Sequence, residues 1–348
     1  MHTPLLPHRR IRSAALGLLI ACSVVSPQAS AAHAPAPPSP RAGGWIVYEG
    51  PIPGGAGIRL VRTDGSDDHW ATPQVPLPDG GWQVHPDWSP DGSMIAFAAD
   101  DADGSGTRDL WVARADGSQA RRVYDCLSPC SQADAPAWSP DGRTLAFAGY
   151  DLVNGNVLAG TLSLLDLRTG RVRVVATAGD ALHDFMWPRW SPDGTRVVLE
   201  LQRWSDTTLA ANLVMTNLAV VDLRRTKPVV APITGAGDWA SYPDWHPSKD
   251  LIVFFSQPAE AGASLPSNLY TIRPNGSGLT RITSYALGDR RPVQPSWTPD
   301  GHRIIFALAA TTFDDWQMMT VRADGGGLLP ATSSGPVFGT HPRLQPTR

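Results

Sequence analysis

Six residues stand immediately before a recurring proline: His85, Ala135, Trp187, Tyr242, Gln294 and His341. Two imidazoles, an indole, a phenol and a primary amide offer flat apolar faces together with hydrogen-bond donors and acceptors, the composition expected of a peptide or sugar site. Asp134, Asp184, Trp239 and Arg291 lie within a few residues of those prolines and add charge and a further ring. Trp82, His183, Trp204, Asp206, Arg290 and Trp316 fall in the same connecting segments. The same large side chains would serve equally well as packing that plugs a channel, and the sequence leaves both readings open.

Signatures of self-contained catalysis are missing. No GxSxG is present, so a serine nucleophile on a strained elbow is not expected. Phosphate-loop, dinucleotide-binding and HExxH patterns are likewise absent. Asp314 and Asp315 are adjacent, and adjacent residues in an extended chain point apart, which makes them a poor general acid and base pair. Asp101, Asp103, Ser105 and Asp109 carry some oxygens of a calcium loop, but Ala99 occupies the first position of that pattern, so a solvated acidic turn is expected. No catalytic residue, metal or cofactor is therefore assigned from the residues alone.

The elements that must position these groups are legible from self-similarity. HPDWSPDGSMIAFAAD from His85, APAWSPDGRTLAFAGY from Ala135 and WPRWSPDGTRVVLEL from Trp187 are near-identical, and YPDWHPSKDLIVFFS from Tyr242 and QPSWTPDGHRIIFAL from Gln294 are degenerate copies. The repeated Trp88, Trp138, Trp190, Trp245 and Trp297 are spaced by 50, 52, 55 and 52 residues. That period suits one four-stranded propeller blade with its loops. Between the copies lie alternating apolar runs broken by Asp-Gly, Thr-Gly or Asn-Gly, which are hairpin signals because glycine accepts the positive φ of a tight turn. Each repeat thus supplies four strands: the xPxW strand, the IAF-type strand, and two flanking the turn.

Second strands can be counted at Trp45–Glu49, Met94–Ala98, Thr144–Ala148, Arg196–Glu200, Asp250–Phe255 and Arg303–Ala307. The first of them has no xPxW strand before it, and Thr340–Leu344 at the C-terminus supplies one. The expected fold is all-β: a six-bladed propeller of four-stranded antiparallel blades over 43–348, closed by pairing of the N- and C-terminal strands, which removes sheet edges. Loss of the last ten residues should then be far more damaging than their position suggests. The tryptophans are expected to fill the wedges between blades, and Asp91, Asp141, Asp193 and Asp300 to shape turns. Turns after odd-numbered strands are short, so binding residues are expected on the opposite, long-loop face.

The motif PxWSPDGxxIAF followed by a strand and a DG turn resembles the repeat of TolB-type propellers, over essentially everything from Gly43 to Arg348. The resemblance implies an exported binding propeller, here without the N-terminal α/β domain of TolB. Similar propellers occur in prolyl oligopeptidases and oligogalacturonate lyases. The lyase resemblance implies a second possibility, in which His85 and His341, with His183 or Gln294, hold a divalent ion for a metal-dependent polysaccharide lyase or hydrolase.

Arg9, Arg10 and Arg12 precede the apolar run Ala14–Val25, and Pro27 introduces Ala29-Ser30-Ala31. That order is a secretory signal peptide over 1–31, too short in its apolar part for a permanent anchor. Leu19-Ile20-Ala21-Cys22 offers an alternative cleavage with lipidation at Cys22. Residues 32–42, rich in alanine and proline, read as a tether. Secretion or a periplasmic location favours a local disulfide between Cys126 and Cys130. The chain carries 29 basic and 32 acidic residues, and loss of the three leader arginines makes it more acidic, which disfavours a nucleic-acid partner. The expected function is a monomeric, non-enzymatic module that binds an envelope protein, a peptide or a cell-wall glycan.

Overall fold

The computed structural model describes residues 44–103, 105–127, 130–153, 156–208, 213–235, 239–257, 267–286, 290–309, 316–335 and 337–347. The expected signal peptide, Cys22, the tether, and Asp314 and Asp315 lie outside the described residues.

Strands follow the repeats. The first repeat gives β1 (Trp45–Ile52), β2 (Gly55–Arg62) and β3 (His69–Trp70). The second gives β4 (Gln83–Trp88), β5 (Met94–Asp100), β6 (Arg108–Arg114) and β7 (Arg121–Tyr124). The third gives β8 (Cys130–Trp138), β9 (Thr144–Val153), a short β10 (Asn156–Val157), β11 (Thr161–Asp166) and β12 (Val172–Thr177). The fourth gives β13 (His183–Trp190), β14 (Arg196–Trp204), β15 (Leu213–Asp222) and β16 (Val230–Pro232). The fifth gives β17 (Trp239–Trp245), β18 (Ile252–Gln257), β19 (Asn268–Ile272) and β20 (Thr280–Arg281). The last gives β21 (Arg291–Trp297), β22 (Arg303–Ala309), β23 (Gln317–Arg322) and β24 (Leu329–Pro330), and β25 (Thr340–Leu344) ends the chain.

The chain is an all-β propeller of four-stranded antiparallel blades. Four discrete four-stranded sheets occur among the described residues, of which the first has the order β25-β1-β2-β3. The second and third repeats share one nine-stranded sheet instead of forming separate ones. They are joined through a single parallel pairing, Arg108 with Gln132, where β6 and the early part of β8 come side by side. The C-terminal strand pairs antiparallel with the first, placing Leu344 opposite Ile46 and Thr340 opposite Glu49.

Apolar clusters sit where sheets face one another. Trp88 packs among Val47, Ile58, Leu60, Ile95 and Phe97, between the first two repeats. Trp138, Trp190, Trp245 and Trp297 occupy the matching places in four further clusters. A sixth cluster joins Ile46, Tyr48 and Val61 of the first repeat to Ile305 and Met318 of the last, with Leu344 in the place of a tryptophan. Main-chain contacts reinforce these seams: the Trp88 indole donates to Arg343 O at 3.1 Å and that of Trp190 to Ala137 O at 3.1 Å. Burying one such ring is worth roughly 3 kcal/mol.

The SPDG segments are turns with a fixed internal network. Ser89 donates to Asp91 Oδ1 at 2.7 Å and accepts from Met94 N at 2.9 Å, while Asp91 Oδ1 accepts from Ser93 N at 3.0 Å. Ser139 with Asp141, Ser191 with Asp193 and Thr298 with Asp300 repeat it. In the fifth repeat His246 replaces the serine, and its Nδ1 accepts from Ser248 N at 3.1 Å. Cys126 and Cys130 are bonded, with a Cα–Cα distance of 5.2 Å. Arg122 stands among Asp109 at 2.9 Å, Asp125 at 3.1 Å and Asp101 at 3.8 Å, so one cation offsets part of the negative charge there. No helix among the described residues is long and apolar enough to cross a membrane.

Candidate functional site

The six residues before the repeated prolines share one backbone conformation. Their φ angles lie between 49° and 58°, although none is glycine. At each of them the innermost strand breaks register with its partner, as between Val84 and Asp87 and between Met186 and Arg189. A side chain in this region costs of order 1 kcal/mol, and six repetitions of that cost imply a common purpose. The bulge turns each side chain off the sheet, and five of the six meet one another.

Trp187 stacks on His341 with ring centroids 4.8 Å apart and meets Tyr242 at a tilt at 4.3 Å, and His85 meets Trp187 edge-on at 4.2 Å and His341 at 4.9 Å. Gln294 accepts from His341 N at 3.0 Å. Ala135, the smallest of the set, packs against Trp187 beneath Met186. His85 and Trp187 are each 2% exposed. The cavity between these rings and the following prolines is about 20 Å³, room for a water-sized occupant and not for a sugar ring.

His85, Trp187, Tyr242, Gln294 and His341 do converge, but on one another, because their rings are large enough to fill the space that six inward bulges leave. Asp134 and Asp184 are also buried. Asp134 accepts from Arg108 at 2.6 Å and from the His85 ring. Asp184 accepts from Phe185 N at 2.9 Å and abuts Gly160, where a Cβ would lie 2.1 Å from its Oδ1. Trp239 and Arg291, at the starts of β17 and β21, are partly exposed. His183 stands apart from the axial rings, 2.7 Å from Asp180.

Two carboxylates the sequence did not flag serve the bulges. Glu49 accepts from the His85 amide, and Glu200 accepts from the Tyr242 amide at 3.2 Å. Both sit opposite the residue that precedes a bulge, Glu49 facing Thr340 and Glu200 facing Met186. The other second strands place Ala98, Ala148, Phe255 and Ala307 there. That departure from the repeat is the signal that aligned copies could have revealed.

Their charge states differ. Burial disfavours ionisation of Glu49, yet the neighbouring His341 and His85 rings and the donors outweigh it and lower its pKa to about 2. Among the described residues no cation acts on Glu200, and burial raises its pKa to about 7, against weaker help from Gln202, Tyr242 N and Ser241. Asp134 is held low by His85 and Arg108 despite its burial, and burial pushes Tyr242 up. His341 is pushed down, chiefly by burial, so its imidazole is neutral at pH 7.

The lyase-type metal site was tested on this geometry. Ligand atoms of Glu49, His85 and His341 lie within 4.8 Å of one another. His341 Nδ1 is 2.9 Å from Glu49 Oε1 without the alignment of a hydrogen bond, and neither of its ring nitrogens has a hydrogen-bond partner among the described residues. Asp134 on His85 Nδ1 leaves Nε2 of that ring to face Glu49, the orientation a carboxylate imposes on a metal-binding histidine. These residues fit a divalent cation, with Glu49 in the place expected for His183 or Gln294.

Comparison with known proteins gives the fold a name. No family model matches the sequence, and no curated protein matches it. Among solved structures, TolB of Acinetobacter baumannii superposes with a TM-score of 0.61 at 17% identity, over 87% of this chain and 66% of that one. TolB of Agrobacterium tumefaciens gives 0.57 at 19% identity, over 85% and 90% of the two chains. This chain is a TolB-like propeller. It spans about two thirds of the Acinetobacter TolB. The same TolB-like architecture also overlaps an enzyme, puromycin hydrolase, with a TM-score of 0.53 at 15% identity, over 85% of this chain and 46% of that one. Likeness at these identities speaks of fold, so function must come from the site.

Proposed function

We propose that this TolB-like chain is an exported, non-enzymatic binding propeller that engages an envelope protein, a peptide or a cell-wall glycan through its long-loop face. The observation that carries the reading is the packed axis: the rings that could have lined a central active site pack on one another. Binding then falls to the outer rim, where Trp239 and Arg291 open two innermost strands. Val153 at the end of β9, Leu158 just after β10 and Val214 near the start of β15 stand exposed, a place for apolar contact. Asn156 pairs with Thr208 there, tying the third and fourth repeats into one raised wall.

The scaffold for this role is a closed ring of six blades. Six bulges of one conformation support that count, and the nine-stranded sheet divides into two blades if its single parallel pairing is set aside. Pairing of β25 with β1 supports closure of the ring. The export leader over 1–31 belongs to the same reading.

Capture from a bacterial envelope extract tests it. A Trp239→Ala, Arg291→Ala, Leu158→Ser variant should lose partners that the unaltered chain retains, whereas retention would remove the long-loop face from consideration. A metal-dependent lyase is the second reading, favoured by the convergence of Glu49, His85 and His341. Stoichiometric divalent metal in the purified protein, with turnover of uronate polymers lost in H85A and H341A, would replace the first reading with the second.

A further inference from the structure

Beyond the proline ring lies a second tier of side chains at the axis. The residue after each repeated proline is Asp87, Ala137, Arg189, Asp244, Ser296 or Arg343 in chain order. Asp87, Asp244 and Arg189 are buried, and Arg343 is 16% exposed at its side chain. Two guanidiniums and two carboxylates balance in number and not in geometry.

Each aspartate spends one oxygen on the main chain of the following repeat: Asp87 Oδ2 accepts from Trp138 N at 2.9 Å and Asp244 Oδ2 from Trp297 N at 2.7 Å. Arg343 takes what is left, lying 3.4 Å from Asp87 Oδ1 and 3.2 Å from Asp244 Oδ1. Arg189 is left with Asp244 Oδ1 at 3.7 Å, beyond hydrogen-bond range, and with the carbonyl of Pro188 at 2.9 Å. Its Nε has no hydrogen-bond partner among the described residues. Burial and the charge of Arg343 both lower its pKa, to about 10, the mark of a cation short of negative charge.

Arg189, Arg343, Ser296 and the unpartnered His341 ring all line the 20 Å³ axial cavity, and its remaining walls include four prolines that offer no amide hydrogen. A buried guanidinium with an unsatisfied Nε and no carboxylate in hydrogen-bond range is costly, and the cost is met by an anion or by water. We propose that the cavity is a binding site for a single small inorganic anion of halide type, held by Arg189 and Arg343 beneath the His341 ring. It stands independently of the partner-binding reading, since no residue of the outer rim takes part. The water-sized volume suits a monatomic ion in preference to a polyatomic one. An ion there would bridge the fourth repeat to the C-terminal strand, because Arg189 lies on β13 and Arg343 on β25.

Crystals of the full mature chain grown in sodium bromide test this directly. The expected result is an anomalous bromide peak within about 3.5 Å of Arg189 Nε, and its loss in R189M crystals. In solution, chloride should raise the melting temperature of the unaltered protein above that in gluconate at equal ionic strength, and the difference should vanish in R189M. Bromide crystals without a peak, holding water or a metal ion on the histidines instead, would overturn the proposal, as would a peak that persists in R189M. The measurement on the unaltered chain stands even if R189M does not fold.

Discussion

Glu49 and Glu200 occupy the same register position in the first and fourth repeats, and each accepts from the bulged amide of the repeat that follows. One is surrounded by two histidines and the Thr340 hydroxyl at 3.1 Å, and it is held ionised. The other faces Gln202 at 2.8 Å and an aromatic wall, and it is held largely protonated below pH 7. Position in a repeat therefore fixes what a carboxylate does for the backbone, whereas the neighbours contributed by adjoining repeats fix its charge. The plug has an ionic side and a neutral side, built from one local motif.

The strongest way to break the comparison is to remove the C-terminal partners of Glu49. Truncation after Gly339 deletes Thr340, His341 and the strand that pairs with β1, and it should abolish cooperative unfolding as followed by circular dichroism. E49Q is milder. It replaces an ionised acceptor of the His85 amide and the Thr340 hydroxyl with a neutral amide and should cost about 3 kcal/mol in urea unfolding at pH 7. Because its folded-state pKa is depressed, the stability Glu49 contributes is present above about pH 4.5 and is lost as pH falls toward 2. The gap between the unaltered protein and E49Q should narrow over that window.

E200Q should act in the opposite sense and with smaller effect. A carboxyl whose folded-state pKa is raised contributes stability below about pH 4.5 that is lost as pH rises through 7. Replacing it with a neutral amide of the same shape should leave the protein no less stable at pH 5 and more stable at pH 8, by up to about 3 kcal/mol. The smallest effect is expected at the rim: W239A and R291A should each shift stability by no more than about 1 kcal/mol, since neither contributes to the axial plug.

Much of this architecture was legible in the sequence, because its signals are local and repeated. The five tryptophans, the SPDG turns and the HPRL tail each copy a pattern, and a copied pattern carries its environment with it. The convergence of His85, Trp187, Tyr242, Gln294 and His341 was legible for the same reason. Whether they would line an opening or fill it was not, since that depends on the volume left between the bulges, and volume is a property of the assembled propeller. Glu49 and Glu200 were hidden for a different reason: each interrupts an otherwise ordinary strand, in IVYEG and VVLEL, and becomes informative only beside Ala98, Ala148, Phe255 and Ala307. The joining of the second and third repeats into one sheet through Arg108 and Gln132 has no sequence mark, because one main-chain contact asks for no particular side chain.

Infrared difference spectroscopy of the carboxyl carbonyl stretch, comparing the unaltered protein with E200Q and E49Q across pH 5 to 8, tests the two-sided plug most directly. The account predicts a protonated-carboxyl band at pH 6 that fades toward pH 8, is missing from E200Q and is unchanged in E49Q. A band that is absent at pH 6, or one that disappears with E49Q instead, would contradict it.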